Sequence, residues 1–86
     1  MEYYVYILYS PSCNKYYVGH TNSLERRLAE HNLGQGGKFS SNCAPWKLVY
    51  QEVFLSRAEA MKHEKEIKNK KSRKYIEFLI LNGRTK

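Results

Sequence analysis

The chain has 86 residues, 42% of them hydrophobic, which is enough for one compact domain with a modest core and too little for two. Its 15 Lys and Arg outnumber its 8 acidic residues, and the formal net charge of +7 favours an anionic partner, nucleic acid above all. No apolar run approaches the roughly 18 residues of a membrane span, and nothing at the N-terminus reads as a signal peptide, so we expect a cytoplasmic protein without membrane contact.

The first predicted element is a β-hairpin rich in tyrosine. Strand-like alternation occupies residues 3 to 9 and 16 to 19, and the turn-forming segment from Ser10 to Asn14 joins them. Because side chains alternate between the two faces of a strand, Tyr6 lies on one face of the first strand, and Tyr17 shares a face of the second with Gly19. We therefore expect Tyr6 and Tyr17 to face the same way, provided that the hairpin register allows it.

A helix is predicted next, with Asn22 and Glu25 as a capping-box-like start and Leu24 and Leu28 as its inner stripe. The helix should end near Gly34, where the pattern becomes rich in Gly, Ser and Asn.

Two adjacent arginines on this helix should point in different directions. At about 100° per residue, Arg27 and His31 lie within about 60° of Leu24, whereas Arg26 and Glu30 point nearly opposite. We expect Arg27 to face the protein and Arg26 the solvent. Together with the tyrosines, Arg27 and His31 would form a site suited to an anionic substrate.

Residues 32 to 45 predict a long loop, in which Lys38 and the Gly36-Gly37 pair could approach a phosphate backbone. A plain surface connection explains the loop equally well. A third strand follows from Trp46 to Phe54, with Trp46, Leu48 and Tyr50 on one face.

The last third of the chain predicts two helices. Ser56 and Glu59 form a capping box, with Leu55 and Ala60 as a hydrophobic staple, so a helix should begin at residue 57. Ser72 marks a new start. The final helix should bury Ile76, Leu79 and Ile80 and stop near Gly83.

The resulting order is β-β-α-β-α-α, without an internal repeat. It predicts a single α+β domain over residues 1–86, in which a small three-stranded sheet, antiparallel or mixed, is flanked by three helices.

Short motifs in this order resemble those of a known nuclease family. Tyr4-Val5-Tyr6 and Tyr17-Val18-Gly19, followed by Arg27 and His31, resemble the GIY-YIG signature, with Tyr4 in place of the first glycine. Glu64, in AMKHEKEIK, stands where that family has a metal-binding glutamate. The resemblance covers the whole chain and is greatest to the small single-domain bacterial branch, which is similar to the nuclease modules of repair incision enzymes and structure-specific endonucleases.

The resemblance implies the roles of five residues. It makes Tyr6 the general base and Tyr17 a phosphate-site hydroxyl, and it places Arg27, His31 and Glu64 in the same catalytic site. If Tyr6 is the base, nearby cations must ease its deprotonation, because a free tyrosine has a pKa of about 10. A packed histidine bonded to a backbone carbonyl is the other common outcome for a position such as His31.

Helical geometry singles out the same glutamate. There is no Asp in the chain, and Glu64 lies about 40° from Ala60 on the inner stripe that Ala60 and Ile67 define, whereas Glu59 and Glu66 project away. A carboxylate there needs a partner. That partner is either one Mg²⁺ or Mn²⁺ ion, as the resemblance implies, or Arg27 or a lysine in a salt bridge.

Weaker candidates for contacts with nucleic acid are Lys15, His20, Asn22 and Lys38, for each of which a solvated polar role is the alternative. Cys13 and Cys43 are too few and too far apart to predict a disulfide framework or a zinc motif, so we expect two reduced thiols. A zinc cluster of these cysteines with the three histidines matches no familiar ligand spacing.

The sequence thus predicts a divalent-metal-dependent endonuclease that hydrolyses phosphodiester bonds in DNA, with a role in DNA repair or recombination. Two alternatives remain: a catalytically silent nucleic-acid-binding module of the same fold, and a basic domain that docks on an acidic protein. The sequence does not distinguish branched, damaged or duplex DNA, or RNA, as the substrate. Specificity would come from DNA shape or from a partner protein.

Overall fold

A computed structural model describes residues 2–32, 43 and 45–83 of the chain. Its elements are β1 (Tyr3–Ser10), β2 (Lys15–Thr21), α1 (Leu24–Asn32), β3 (Lys47–Phe54), α2 (Arg57–Lys70) and α3 (Arg73–Gly83). The α+β class and the order β-β-α-β-α-α are therefore confirmed. Most of the predicted loop, including Gly34, the Gly36-Gly37 pair and Lys38, lies outside the described residues. None of the described helices is long and apolar enough to cross a membrane.

The three strands form an antiparallel sheet in the order β2-β1-β3, so β2 is an edge strand. Tyr6 of β1 pairs with Gly19 of β2, and Leu8 pairs with Tyr17. Paired residues point to the same face of a sheet. The register therefore places Tyr6 and Tyr17 on one face, as the alternation predicts.

Each face of the sheet carries its own core. Val5 and Ile7 pack with the helix residues Ala60 and Ile67 on the face that α2 and α3 cover. On the other face, Tyr6 and Leu8 pack with Cys43 and Trp46 and with the inner leucines of α1. Because β1 is central, its residues from Val5 to Leu8 are at most 1% exposed.

The predicted face of the third strand is wrong. The pairing of β1 with β3 shifts between Ile7, which faces Tyr50, and Leu8, which faces Leu48, so that Val49 is an extra residue in a β-bulge. A bulge reverses the alternation. Consequently Trp46 belongs to the α1-side cluster, whereas Tyr50 packs on the opposite face with α2.

The helix caps are largely as predicted. Ser56 accepts a hydrogen bond from the Glu59 N–H at 3.2 Å, and its own hydroxyl donates to the Glu59 carboxylate at 3.1 Å, which completes the capping box. The staple is wrong, however, because Leu55 is 82% exposed. Ser72 caps α3 by accepting from the Tyr75 N–H at 3.2 Å. Helix α1 begins at Leu24, with the Ser23 carbonyl accepting its first backbone hydrogen bond.

The prediction of two reduced thiols is also wrong. Cys13 and Cys43 form a disulfide between the β1–β2 turn and the segment that precedes β3. The carbonyl of Cys43 also accepts hydrogen bonds from the Ser10 and Ser12 hydroxyls, at 2.5 and 3.3 Å. The chain order gave no indication of this contact, since 30 residues separate the two cysteines.

Candidate active site

Gly19 allows the rings of two tyrosines to meet over the edge strand. A Cβ at this position would lie 2.6 Å from the Tyr6 Oη and 3.1 Å from the Tyr17 Cε1. Real Cβ atoms essentially never approach another atom as closely as the first of these distances. The glycine thus leaves the space into which the Tyr6 phenol extends from the central strand.

The Tyr6 hydroxyl is the centre of a small polar cluster. Arg27 Nε donates a hydrogen bond to it at 3.3 Å, and His31 Nε2 lies 3.5 Å from it. The Tyr17 ring centroid is 6.2 Å from that of Tyr6 and 4.6 Å from that of His31. The structure therefore brings together four of the five predicted catalytic residues.

His31 is fully buried, yet its hydrogen bonding differs from that of a typical packed histidine. Its Nε2 faces Tyr6, and within the described part of the chain its Nδ1 has no hydrogen-bond partner. A backbone carbonyl, the alternative considered for this residue, is thus not seen as its partner among those residues. The shared environment of His31 and Arg27 is the phenol of Tyr6.

Burial sets the protonation of this cluster. It raises the pKa of Tyr6 to about 12, because the loss of solvent outweighs the hydrogen bond from Arg27. The expectation that nearby cations ease the deprotonation of Tyr6 is therefore not met by Arg27 alone. Burial, together with the charge of Arg27, lowers the pKa of His31 below its usual 6.5, so that the neutral imidazole dominates at physiological pH.

Arg27 is fixed on two sides. Besides the bond to Tyr6, its Nη1 donates to the Glu30 carboxylate at 3.1 Å. Glu30 is half-buried, so its predicted outward orientation is wrong. Because these contacts hold the guanidinium while its side chain stays 36% exposed, Arg27 is positioned to receive an anion from solvent.

Glu64 lies on the other face of the same edge strand. His20 follows Gly19 in β2 and so points toward α2, where its Nδ1 lies 2.5 Å from Glu64 Oε1. Lys68, one turn along α2, places its Nζ 2.6 Å from Glu64 Oε2. Burial raises the pKa of Glu64, but the hydrogen bonds from Lys68 and His20 outweigh it and lower that pKa overall, so the carboxylate is ionised at neutral pH.

Of the two salt-bridge partners considered for Glu64, the structure places a lysine beside it and not Arg27. Sequence reasoning assigned His20 no partner, because 44 residues separate it from Glu64. No sequence signal could have paired them. The helical angle predicts that Glu64 faces inward and needs a partner, but it does not identify that partner.

A cleft of about 320 Å³ lies next to Arg27. It is lined by Arg26 and Arg57 as well as Arg27, together with His20 and Asn22, and no acidic residue in the described part of the chain lines it. Arg57 was missed by the sequence reasoning, although the predicted start of α2 at this residue could have pointed to it. Three guanidinium groups around one cleft favour a phosphate group as the ligand.

The side chains around Glu64 limit the kind of divalent-metal site that can form there. Within residues 2–32, 43 and 45–83, no three His, Cys or Glu side chains come together as a metal-binding group. An ionised carboxylate has about four lone-pair positions, of which His20 and Lys68 use two on Glu64. One hard cation with mostly water ligands is therefore compatible with Glu64.

The remaining predicted residues fall in different places. Asn22 lines the cleft, and Lys15 lines a second cavity beyond it. Lys38 lies outside the described residues. Cys13 and Cys43 cannot serve as thiolate ligands of a zinc cluster, because they form a disulfide with each other.

Comparison with known proteins agrees with this geometry. A sequence model of the GIY-YIG catalytic domain matches residues 2–76. The chain is 46% identical over 67 residues to a UPF0213 protein of Staphylococcus haemolyticus, across 78% of this chain and 80% of that protein. It is 42% identical over 81 residues to a UPF0213 protein of Streptococcus pneumoniae, across 92% and 79%.

A solved structure supports the fold. The solution NMR structure of a UPF0213 protein from Bacillus halodurans matches with a TM-score of 0.59 and 38% sequence identity, over 96% of this chain and 87% of that one. The chain therefore belongs to the GIY-YIG nuclease superfamily, as a small relative of the UPF0213 proteins.

Proposed function

We propose that residues 1–86 act as a single nuclease domain that hydrolyses phosphodiester bonds in DNA with the help of one divalent metal ion. The observation that carries this proposal is the exposed guanidinium of Arg27, which is bonded to a buried phenol and opens into a cleft lined by two further arginines. A cleft of this charge attracts a phosphate, and the phenol gives it a group that can move a proton. The membership of a nuclease superfamily supports the same reading.

The first task of the site is to hold the phosphate. Arg27 binds the scissile phosphate and stabilises the charge that builds up in the transition state, while Arg26 and Arg57 hold the strand by its phosphates. Tyr17 borders the same cluster, with its ring centroid 6.2 Å from that of Tyr6 and 4.6 Å from that of His31.

The second task is proton transfer. Tyr6 takes a proton from the attacking water as its own hydroxyl proton passes to His31 Nε2, which lies 3.5 Å away and is neutral. The net result is a hydroxide equivalent for the attack, a neutral Tyr6 and a protonated His31. This transfer avoids a free phenolate, which a pKa of about 12 makes rare at neutral pH.

GIY-YIG nucleases generally use a divalent metal, and the ionised carboxylate of Glu64 fits that role here. Glu64 would hold one Mg²⁺ or Mn²⁺, whose charge, when it is bound, stabilises negative charge on the phosphate and the leaving oxygen. Lys68 is half-exposed, so its ammonium can leave the carboxylate at little cost.

A second candidate function is a silent DNA-binding module. The observation in its favour is that His20 and Lys68 already satisfy Glu64, and Tyr4 replaces the first glycine of the family motif. A domain that docks on an acidic protein is the third reading. DNA repair or recombination is the process in which we place the enzyme, with substrate choice set by DNA shape or by a partner protein.

The proposal is tested with labelled linear, nicked and branched DNA substrates under single-turnover conditions, with Mg²⁺, Mn²⁺ or EDTA. We expect cleavage with metal only, and its loss in Tyr6→Phe, which keeps the buried ring and removes the hydroxyl. Tyr50→Phe is the matched control, since the Tyr50 ring is buried on the opposite face of the sheet and its hydroxyl bonds Glu52. Salt-dependent binding without any cleavage would establish the silent module, and the absence of salt-dependent binding would establish the docking domain.

A further inference from the structure

A second cavity lies along the edge strand, between β2 and the junction of α2 and α3. Its volume is about 470 Å³, within the range of about 300–1,000 Å³ that is usual for small-ligand sites. The side chains of Val18, Ile67 and Ile76 give it an apolar floor, and Tyr16 adds an aromatic wall. Such a surface suits the flat face of a base.

Cations surround this floor. Lys15, Lys68, Lys71 and Arg73 all line the cavity, and among the residues that the structure describes no glutamate does. Lys68 pairs with Glu64 and Arg73 with Glu77, and neither glutamate is among the described lining residues, so the lining itself is positively charged. An anionic ligand with an apolar part is therefore the occupant that the chemistry favours.

The cavity borders the candidate active site. Tyr17, whose ring contacts those of Tyr6 and His31, also lines the cavity. Lys68 lines it as well and holds Glu64 at 2.6 Å. A strand bound in the cleft by its phosphate would thus place a neighbouring nucleotide at this cavity.

The wall of the cavity is held in place before any ligand binds. The Arg73 guanidinium stacks 5.0 Å from the centre of the Tyr16 ring, and its Nη2 donates to Asn14 Oδ1 at 2.6 Å. Asn14 and Lys71 are the only non-glycine residues with positive φ in the described part of the chain, and both line the cavity. Backbone strain of this kind, about 1–3 kcal/mol per residue, concentrates at functional sites.

Lys71 is the more informative of the two. It ends α2 in the left-handed conformation, with φ of 48°, where Gly or Asn is the residue that helix termination favours. The Lys71 N–H caps the helix by donating to the Lys68 carbonyl at 3.2 Å, but glycine could make the same bond without the conformational cost. The side chain of Lys71 adds a positive charge at the cavity.

We propose that this cavity binds one nucleotide of the substrate strand, next to the phosphate that is cut, with the base on the apolar floor and a phosphate against Lys71 and Lys15. The identification of the strand as DNA rests on the proposed function. The geometry of the cavity does not depend on cleavage, so it is tested by binding.

The test is an NMR titration of the ¹⁵N-labelled protein with thymidine 5′-monophosphate. We expect saturable shifts of the Val18, Ile67 and Lys71 amides. In Lys71→Gly the dissociation constant for this nucleotide should rise about three- to tenfold, while the melting temperature stays the same or rises, because glycine adopts this φ without strain. Lys62→Ala removes an equal charge elsewhere on α2, outside both cavities, and should change neither quantity.

Three outcomes would overturn the inference: equal binding of inorganic phosphate and nucleotide, equal binding of a tetraglutamate peptide, or equal weakening by Lys71→Gly and Lys62→Ala. Cleavage by a protein whose cavity amides do not respond to the nucleotide would also overturn it and leave the proposed function standing. Nucleotide binding in a protein that cuts no substrate would overturn the proposed function and leave this inference standing.

Discussion

The substitution Gly19→Ala is the most direct test of whether the position of Tyr6 sets the chemistry. The new methyl group would lie 2.6 Å from the Tyr6 Oη and 2.8 Å from its Cζ, where an ordinary contact is about 3.5–4.0 Å. Tyr6 is 1% exposed, so its ring has no solvent to move into. To relieve the clash, the phenol must move by about 1 Å, which breaks its 3.3 Å bond with Arg27.

The cost of this movement can be divided between stability and rate. Overpacking costs about 1–3 kcal/mol, and removal of a strand glycine returns about 0.5–1 kcal/mol, so the net destabilisation should be at most about 2.5 kcal/mol. A misplacement of about 1 Å at a reacting group costs about 100-fold in rate. We therefore expect a folded Gly19→Ala protein that cleaves about 100 times more slowly.

Urea unfolding and single-turnover cleavage of the same preparation would measure both effects. Val5→Ala is the control, because Val5 is fully buried on the opposite face of the sheet and the substitution should cost about 2 kcal/mol without reaching Tyr6. We expect the folded fraction of Val5→Ala to cleave at the wild-type rate. If Gly19→Ala folds and cleaves within about threefold of the wild type, the argument from the Tyr6 position is refuted.

Three further predictions concern the polar residues. Arg27→Ala should abolish cleavage, whereas Arg26→Ala should mainly weaken DNA binding; equal loss of cleavage at saturating DNA would contradict the different roles of the two arginines. Glu64→Gln should cut metal-dependent cleavage by orders of magnitude, with DNA affinity unchanged or slightly higher and at most about 1 kcal/mol of stability lost; a destabilised variant that still cuts would remove Glu64 from the site. Cleavage should rise as His31 loses its proton, at a pKa below 6.5, and stay level from about pH 7 to 9, since the neutral ring must accept the Tyr6 proton. A tenfold rise per pH unit that continued to pH 10 would mean that Tyr6 must ionise first.

The features that the sequence predicts correctly depend on neighbours along the chain. Strand alternation placed Tyr6 beside Tyr17, helical angles turned Arg27 inward, and the Ser56 cap located the start of α2. Each follows from the geometry of one element or one hairpin, so a single sequence contains the necessary information.

The features that it misses depend on contacts between distant segments. The bulge at Val49 arises from the match between β1 and β3, and it turns Tyr50 to the face opposite Trp46. The contact between Glu64 and His20 depends on the packing of α2 against β2, which local sequence patterns do not encode. Burial of the Tyr6 hydroxyl, which reverses the expected direction of its pKa shift, is likewise a property of the assembled fold.

The Cys13–Cys43 disulfide closes a covalent ring that contains some residues of the candidate site and leaves others outside. The covalent ring that it closes spans 30 residues and contains Gly19, Arg27 and His31, whereas Tyr6 and Glu64 lie outside it. A ring of this length removes about 3–4 kcal/mol of conformational entropy from the unfolded chain. The arginine and the imidazole therefore belong to the cross-linked segment, whereas the phenol and the carboxylate are held by packing, hydrogen bonds and ion pairs without a covalent link. Opening the ring would return that entropy to the unfolded chain, so both halves of the site would lose stability together.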